Sequence, residues 1–537
     1  MKLEISGRSL RRYVSTSLAV TALVTMAVAG AGCGGGKSSE RKDATTTIST
    51  APASKGGTLK LARSIEPATF NPFTCPCDNG SWQTMVQVFD TLVEFMPGTT
   101  DAKPGLATGW DANSNHTQFT FHLRPAKFSD GTAVTSADVK YSLDRAKSPK
   151  ATFYSLYSVI KSVSAPDAST VVVRLRAPTP NFPWYVGFPA TSIVPRALIE
   201  RLGDEQFGER PIGSGAFAIK RWVKGQVVEL ARNPHYWRKG QPYLDGVKMT
   251  YVPNDNTRVL ALLSGDVDAV DAVPFSQGEQ VDTSGKAKVL FQDSSAMYVV
   301  WLNQHHEPLD ELVVRQALSY ATPKEQLKQA VFHGKADVAN ANMPKLRDWS
   351  ANVKAYPFDV EKAKQLMARS SKPNGFGLTI SIVAGDQTTK QVAQVLQEAW
   401  RKIGVSVSVQ QYDDATWATR RRNYQYQAAI PLVDVFTSDL PVQDEFAKLL
   451  FDNPETHNAR TFWTDPAASQ LVERAIHTPD ASEQPALWEQ LQKRTMENPS
   501  SVPLVFPPYR GAARSNVHGL QYVQVGWWRL EQASLKR

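Results

Sequence analysis

A chain of 537 residues exceeds what one hydrophobic core usually serves, so two or three lobes are expected. Net charge is +9, and Lys2, Arg8, Arg11 and Arg12 against Glu4 supply +3 of it before residue 33. The remainder is spread thinly, and the one compact basic run, Arg420-Arg421-Arg422, is too short for a nucleic-acid surface and reads as a solvated helix face.

Arg8, Arg11 and Arg12 precede an apolar run from about Tyr13 to Ala29, which closes on Gly30-Ala31-Gly32-Cys33. Residues 1–32 read as a secretory signal peptide, ahead of the alternative of a membrane span, because the run is rich in Ala, Thr and Gly and ends at small residues. Its end resembles a bacterial lipobox, with Gly30 where leucine is usual, which makes Cys33 the expected lipid attachment site. The Arg11-Arg12 pair leaves export by the Sec or the twin-arginine route open. Residues 33–55, rich in Gly, Ser, Thr and charge, form a flexible tether that would hold a soluble domain at the outer face of the membrane. Cys75-Pro76-Cys77 admits a strained local disulfide or two thiols; a metal centre would need ligands that the sequence does not supply nearby.

Gly57–Ala62 reads as a first strand, and the loop after it carries Pro67 and Pro72. Ser81 to Glu94 has helical apolar spacing at Met85, Val86 and Phe89, continued by Leu92 and Val93. Thr117–Leu123 alternates, with Thr117, Phe119, Phe121 and Leu123 toward a core. Asp130-Gly131 is a turn, and Thr135-x-x-Asp138 is a capping box for a helix that buries Val139, Leu143 and Ala146. Thr170–Leu175 is a further strand. Ala216–Val223 and Gln226–Ala231 flank Lys224-Gly225 as a hairpin, and Gly213-Ser214-Gly215 before it is a backbone turn, not a nucleophile elbow. Thr257–Ser264 is a helix with Val259, Leu262 and Leu263 inward and Gly265 at its end. Asp266, Asp268 and Asp271 line one solvated strand edge. In the second half Tyr298–Asn303 is a strand, Leu312–Tyr320 a helix with Leu312, Gln316, Ala317 and Tyr320 on one side, and Thr322-Pro323-Lys324-Glu325 a capped helix start running to Gly334. Leu378–Val383, Lys390–Ile403 and Val405–Val409 make a β-α-β unit with Gly404 closing the helix. A helix follows from about Pro441, and Val502–Tyr509 crosses back toward the first half.

Four motifs in fixed order, GLATGW, FTFHLRPAKFSDGTAVTSADVKYSLDR, PIGSGAF and NPHYW, resemble the signature of the family 5 extracellular solute-binding proteins, receptors of bacterial ABC importers for peptides and nickel. The resemblance implies an α/β, two-lobed periplasmic-binding-protein-like fold (type II, cluster C) with an extra inserted lobe. By that likeness residues 56–80, 205–293 and 508–537 form the first lobe, 81–204 the insert and 294–507 the other half. It implies a ligand site as well. Asp439-Leu-Pro-Val-Gln-Asp444-Glu-Phe446 matches the family stretch whose first aspartate holds a ligand amino terminus, so Asp439 takes that role, beside Thr437 and Ser438, with Asp434 as the competing aspartate. Arg420 falls near an arginine that meets ligand carboxylate, Cys77 and Asp78 follow the first loop toward the ligand, and Tyr509 stands near an aromatic of the last crossover.

No nucleophile elbow, zinc-protease helix, phosphate loop or dinucleotide glycine pattern occurs. The adjacent His305-His306-Glu307 point apart and do not make a metal cluster. The expected protein is therefore not an enzyme and uses no cofactor or metal. It is a monomeric receptor that binds a peptide or small molecule, contacts ABC importer permease subunits and the membrane through its lipid, and binds no nucleic acid. A sensory or scaffolding lipoprotein of the same fold is the alternative, and a secreted hydrolase a more distant one.

Overall fold

The computed structural model describes residues 54–75, 79–344, 352–431, 440–454 and 457–536. The readings at residues 1–53, and those at Cys77, Asp78, Asp434, Thr437, Ser438 and Asp439, lie outside them.

The block around Thr135 folds as its local chemistry dictates. Strand Gln118–Leu123 buries Phe119 and Phe121 and leaves Gln118, Thr120 and His122 nearer solvent. Gly131 takes φ +88° in the turn, where a side chain would be strained. Thr135 accepts from Asp138 N and Asp138 accepts in return from Thr135 N, opening helix Ser136–Ala146 with Val139, Leu143 and Ala146 buried. This strand belongs to a four-stranded antiparallel sheet with Ala107–Ala112, Thr170–Leu175 and Ile160–Ser164.

Two larger sheets carry the rest. A seven-stranded sheet runs in the order Ala287–Gln292, Tyr509–Arg514, Ala269–Val270, Thr58–Arg63, Gly246–Tyr251, Val227–Arg232 and Phe217–Val223. Its three middle strands, Ala269–Val270, Thr58–Arg63 and Gly246–Tyr251, are parallel. A six-stranded sheet runs Asp337–Val338, Ser501–Phe506, Tyr298–Leu302, Ala428–Ala429, Phe376–Val383 and Val405–Tyr412. Phe376–Val383, helix Gln387–Arg401 and Val405–Tyr412 are the expected parallel β-α-β unit, with Gly404 at φ +83° behind the helix. The buried tryptophans Trp82, Trp400 and Trp528 contribute to one continuous core, and the buried Trp463 and Trp488 to a second.

Several elements differ from the sequence reading. Helix Asn79–Val88 stops short of Glu94 because the Val88 carbonyl accepts from Gly215 N at 2.9 Å, and Val93–Glu94 pairs with Lys103–Pro104 as a short strand. Helix Leu312–Tyr320 turns Val314, Ala317 and Leu318 inward, while Leu312 is 39% exposed. Thr322 does not cap the next helix, Lys324–Ala330: its hydroxyl donates backward to Leu318 O at 2.6 Å and accepts from Trp400 Nε1 at 3.1 Å. Asp271 is not at a solvated edge. It is buried between Arg63, whose Nε lies at 3.3 Å, and Arg258, whose Nε lies at 3.4 Å.

Two polar assemblies tie the inserted segment to what surrounds it. Asn181 Nδ2 donates to Asp444 Oδ1 at 2.9 Å, and Tyr185 Oη donates to Asp444 Oδ2 at 2.9 Å. Asp444 is fully buried at the start of helix Asp444–Phe451, so this contact joins the insert to the C-terminal half. Elsewhere Glu94 takes ion pairs from Arg238 and Arg529, and Arg529 also meets Glu531. Asp90 sits in the same assembly and accepts from Trp237 Nε1 at 3.1 Å. Burial, with Glu94 nearby, pushes its carboxyl up to about 7 against the pull of Arg238 and Trp237.

Candidate functional site

The chain passes between the two large sheets twice, from Gln292 to Tyr298 and from Phe506 to Tyr509. The crossings touch, Ser294 Oγ donating to the Pro507 carbonyl. Two adjacent connections of this kind allow one sheet to rotate against the other about a common line.

Beside them lies a cavity of about 490 Å³ whose wall is drawn from both halves. Ser64, Ile65 and Glu66 follow strand Thr58–Arg63; Pro253 and Asp255 follow Gly246–Tyr251; Ala272 follows Ala269–Val270. From the other sheet, Ala384 and Asp386 follow Phe376–Val383, and Asp413 and Asp414 follow Val405–Tyr412. Every one of these strands runs parallel to a neighbour and reaches the cavity with its carboxyl end, where α/β sheets bind their ligands. Loops end there, and helix starts supply side-chain oxygens and backbone N–H groups.

The two halves also touch there. Asp255 Oδ1 pairs with Arg258 Nη2 at 2.6 Å, and its Oδ2 accepts from Gln387 N at 3.3 Å, at the start of the helix behind the other sheet. Asp386 caps that helix by accepting from Thr389 N at 2.9 Å, and Asp413 caps helix Asp414–Arg422 by accepting from Thr416 N at 2.9 Å and Thr416 Oγ1 at 2.6 Å. Burial holds the Asp255 carboxyl above the ordinary range, against the pull of Arg258 and with the push of Asp386. Burial likewise raises Asp414, opposed by Arg421. Asp413 is held low by the Thr416 hydroxyl and N–H, so it is an anion at neutral pH. Arg510 is 5% exposed, with its guanidinium 4.4 Å from the Phe275 ring, and is the cation among the described residues that line the cavity.

A recess continues from the cavity, sharing Ser64, Ile65, Ala272 and Arg510 with it. Tyr509 lines this recess, stacked on Tyr522 at 5.7 Å, and Gly526 leaves room for the Tyr509 ring, which would lie 2.7 Å from any Cβ there. Arg420 does not line the cavity. Its Nη2 donates to Gln425 O at 2.8 Å and its guanidinium lies 4.6 Å from the Tyr412 ring. His305 stacks on Phe462 at 3.6 Å, and Cys75 is buried.

Sequence reasoning overlooked Asp255, Asp386 and Asp413. The signal was present as a repeated pattern, a strand followed within a few residues by an aspartate that starts a helix. In a parallel sheet that pattern sets the aspartate at the ligand edge.

Residues 101–457 match the model of the bacterial extracellular solute-binding proteins, family 5 middle, and the chain belongs to that family. It is thus a solute-binding protein with the two-lobed, inserted α/β fold of periplasmic receptors. It is 31% identical over 311 residues to the glutathione-binding protein GsiB of Pectobacterium atrosepticum, covering 57% of this chain and 60% of that one. To the probable D,D-dipeptide-binding periplasmic protein DdpA of Escherichia coli K12 it is 26% identical over 477 residues, 86% of this chain and 91% of that one. Among solved structures, the periplasmic binding protein DppA of Helicobacter pylori in complex with the peptide STSA superposes with a TM-score of 0.81 at 26% identity, over 90% of this chain and 99% of that one. Among the described residues, no helix is long and apolar enough to cross a membrane.

Proposed function

We propose that this protein is an extracytoplasmic receptor that captures a peptide or similar small solute in the cavity between its two large sheets and delivers it to an ABC importer. The observation that carries the reading is the cavity itself: carboxyl ends of strands from both sheets face it, next to a paired crossing about which the halves can rotate. A solute touching both walls stabilises the closed form by its differential affinity for it. A glutathione-binding relative, a probable D,D-dipeptide-binding one and a solved neighbour in complex with the peptide STSA support the solute class.

In this reading residues 56–80, 205–293 and 508–537 act as one lobe, 294–507 as the other, and 81–204 as the insert. Asp439 meets the ligand's amino terminus, with Thr437, Ser438, Cys77, Asp78 and Tyr509 around the ligand. A lipid on Cys33 keeps the receptor at the membrane. Mass spectrometry of solutes released from protein purified without refolding tests the receptor reading: a defined peptide or small solute at near-stoichiometric yield supports it, and repeated recovery of none, with no binding in a peptide screen, overturns it. Cys33→Ala should release the protein into the medium; a variant that stays membrane-bound and unprocessed refutes the lipid anchor.

A further inference from the structure

Four carboxylates line the cavity without an ion pair to any described residue: Glu66 on one side and Asp386, Asp413 and Asp414 on the other. Asp255, the fifth, is matched by Arg258. Three effects oppose this negative wall. Among the described residues, Arg510 contributes one positive charge, the N-termini of helices Gln387–Arg401 and Asp414–Arg422 contribute about half a charge each, and Arg421 offsets part of the Asp414 charge, which leaves a balance of about −1 to −2. The capping bonds that Asp386 and Asp413 accept from Thr389 and Thr416 satisfy their oxygens but do not neutralise them. Carboxylates of the two halves sense each other where the halves touch, since Asp255 accepts from Gln387 N beside Asp386, and Asp386 raises the Asp255 carboxyl. All this occurs in a chain whose overall charge is +9.

An independent acceptor lies deeper. Gln83 is 6% exposed, lines the recess that continues from the cavity, and its Oε1 has no hydrogen-bond partner. A buried amide oxygen left unmatched is costly, and a ligand N–H in the recess removes that cost.

Resting on the receptor reading above, we propose that the cleft selects solutes bearing a cationic side group, most simply a peptide with a lysine or arginine side chain, and that Glu66, Asp386 and Asp413 meet that group. Closing brings like charges from the two halves together, so an unliganded molecule resists closure. A cationic solute removes the repulsion as the cleft shuts around it, which couples charge recognition to closure.

The test uses the mature protein and three tripeptides, Ala-Lys-Ala, Ala-Ala-Ala and Ala-Glu-Ala, titrated by calorimetry at 150 mM salt. The non-peptide pair agmatine and glutarate is run beside them in a thermal-shift assay. Ala-Lys-Ala should bind at least about tenfold more tightly than Ala-Glu-Ala, a difference of about 1.4 kcal/mol. In the double variant Asp386→Asn, Asp413→Asn the ratio should fall to within about threefold, because asparagine keeps both helix caps and removes only the charge. Equal affinities, or preference for the glutamate peptide, overturn the inference and leave the receptor reading standing. So does a ratio that survives in the double variant. If no tripeptide binds, stabilisation by agmatine and not by glutarate upholds the charge preference and refutes only the peptide assignment. Stabilisation by glutarate alone, or by none of the five probes, overturns the inference.

Discussion

The backbone N–H of Gln387 donates to Asp255 Oδ2 at 3.3 Å and thereby joins the helix behind one sheet to the helix behind the other. Asp255 serves both halves, because its Oδ1 also holds Arg258 at 2.6 Å, and Arg258 in turn braces the carbonyls of Val252 and Ala272. Asp255→Ala should therefore weaken closure as well as stability. A hydrogen bond to a charged group contributes about 1.5–3 kcal/mol, so the melting temperature should drop by several degrees. The radius of gyration by small-angle scattering should also rise as open molecules accumulate. A variant with the wild-type melting point and radius would show that this contact is incidental.

Asp90 gives a stability that depends on pH, and its sign follows from the raised carboxyl. In the unfolded chain it ionises near 3.8 and in the fold near 7, so the neutral form is favoured by folding. That contribution is complete below about pH 4 and is lost as pH rises through 7. Each tenfold change in proton affinity is worth about 1.4 kcal/mol, so the loss amounts to about 4 kcal/mol. Asp90→Asn keeps an oxygen for Trp237 and removes the ionisation. Its melting temperature should exceed that of wild type at pH 8, and the difference should narrow toward pH 4. Parallel melting curves for the two proteins across this range would mean that Asp90 stays ionised throughout.

Gly213 and Gly215 press against the end of helix Asn79–Val88. A Cβ at Gly213 would lie 2.1 Å from the Val88 carbonyl oxygen, and one at Gly215 2.6 Å from the Val88 carbonyl carbon. Neither contact has a flexible side chain that could yield. Alanine at either position should displace the turn and cost at least the roughly 1–3 kcal/mol typical of overpacking, while Gly225→Ala, at a hairpin turn with open space, is strained only by its φ of +75°. Urea midpoints of the three variants order the effects. If Gly213→Ala were as stable as wild type, the close approach would have to relax at no cost.

What the sequence revealed was local, and what it concealed lay between distant segments. Thr135 and Asp138 satisfy one another across three residues, so helix Ser136–Ala146 could be read without knowing anything else. The β-α-β unit followed from its own hydrophobic spacing and Gly404. Asp271 could not be placed in this way, because Arg63 stands 208 positions before it and only the parallel pairing of their strands brings the two together. Thr322 looked like a forward cap and instead serves Trp400, 78 positions on. At the site the same divide holds. Tyr509 could be placed from the last crossover, whereas nothing in the neighbourhoods of Asp386 and Asp413 singles them out or says that Glu66 faces them.

The bond between the insert and the C-terminal half bears on how long a captured solute stays. Where opening separates these segments, it must break the bonds that Asn181 and Tyr185 donate to the fully buried Asp444 before the cleft is wide enough for exit. That step belongs to the dissociation rate and not to the encounter, since the donors meet Asp444 only when the halves are already together. Two receptors with identical cavities could thus differ in dwell time through a tyrosine that never touches the cargo.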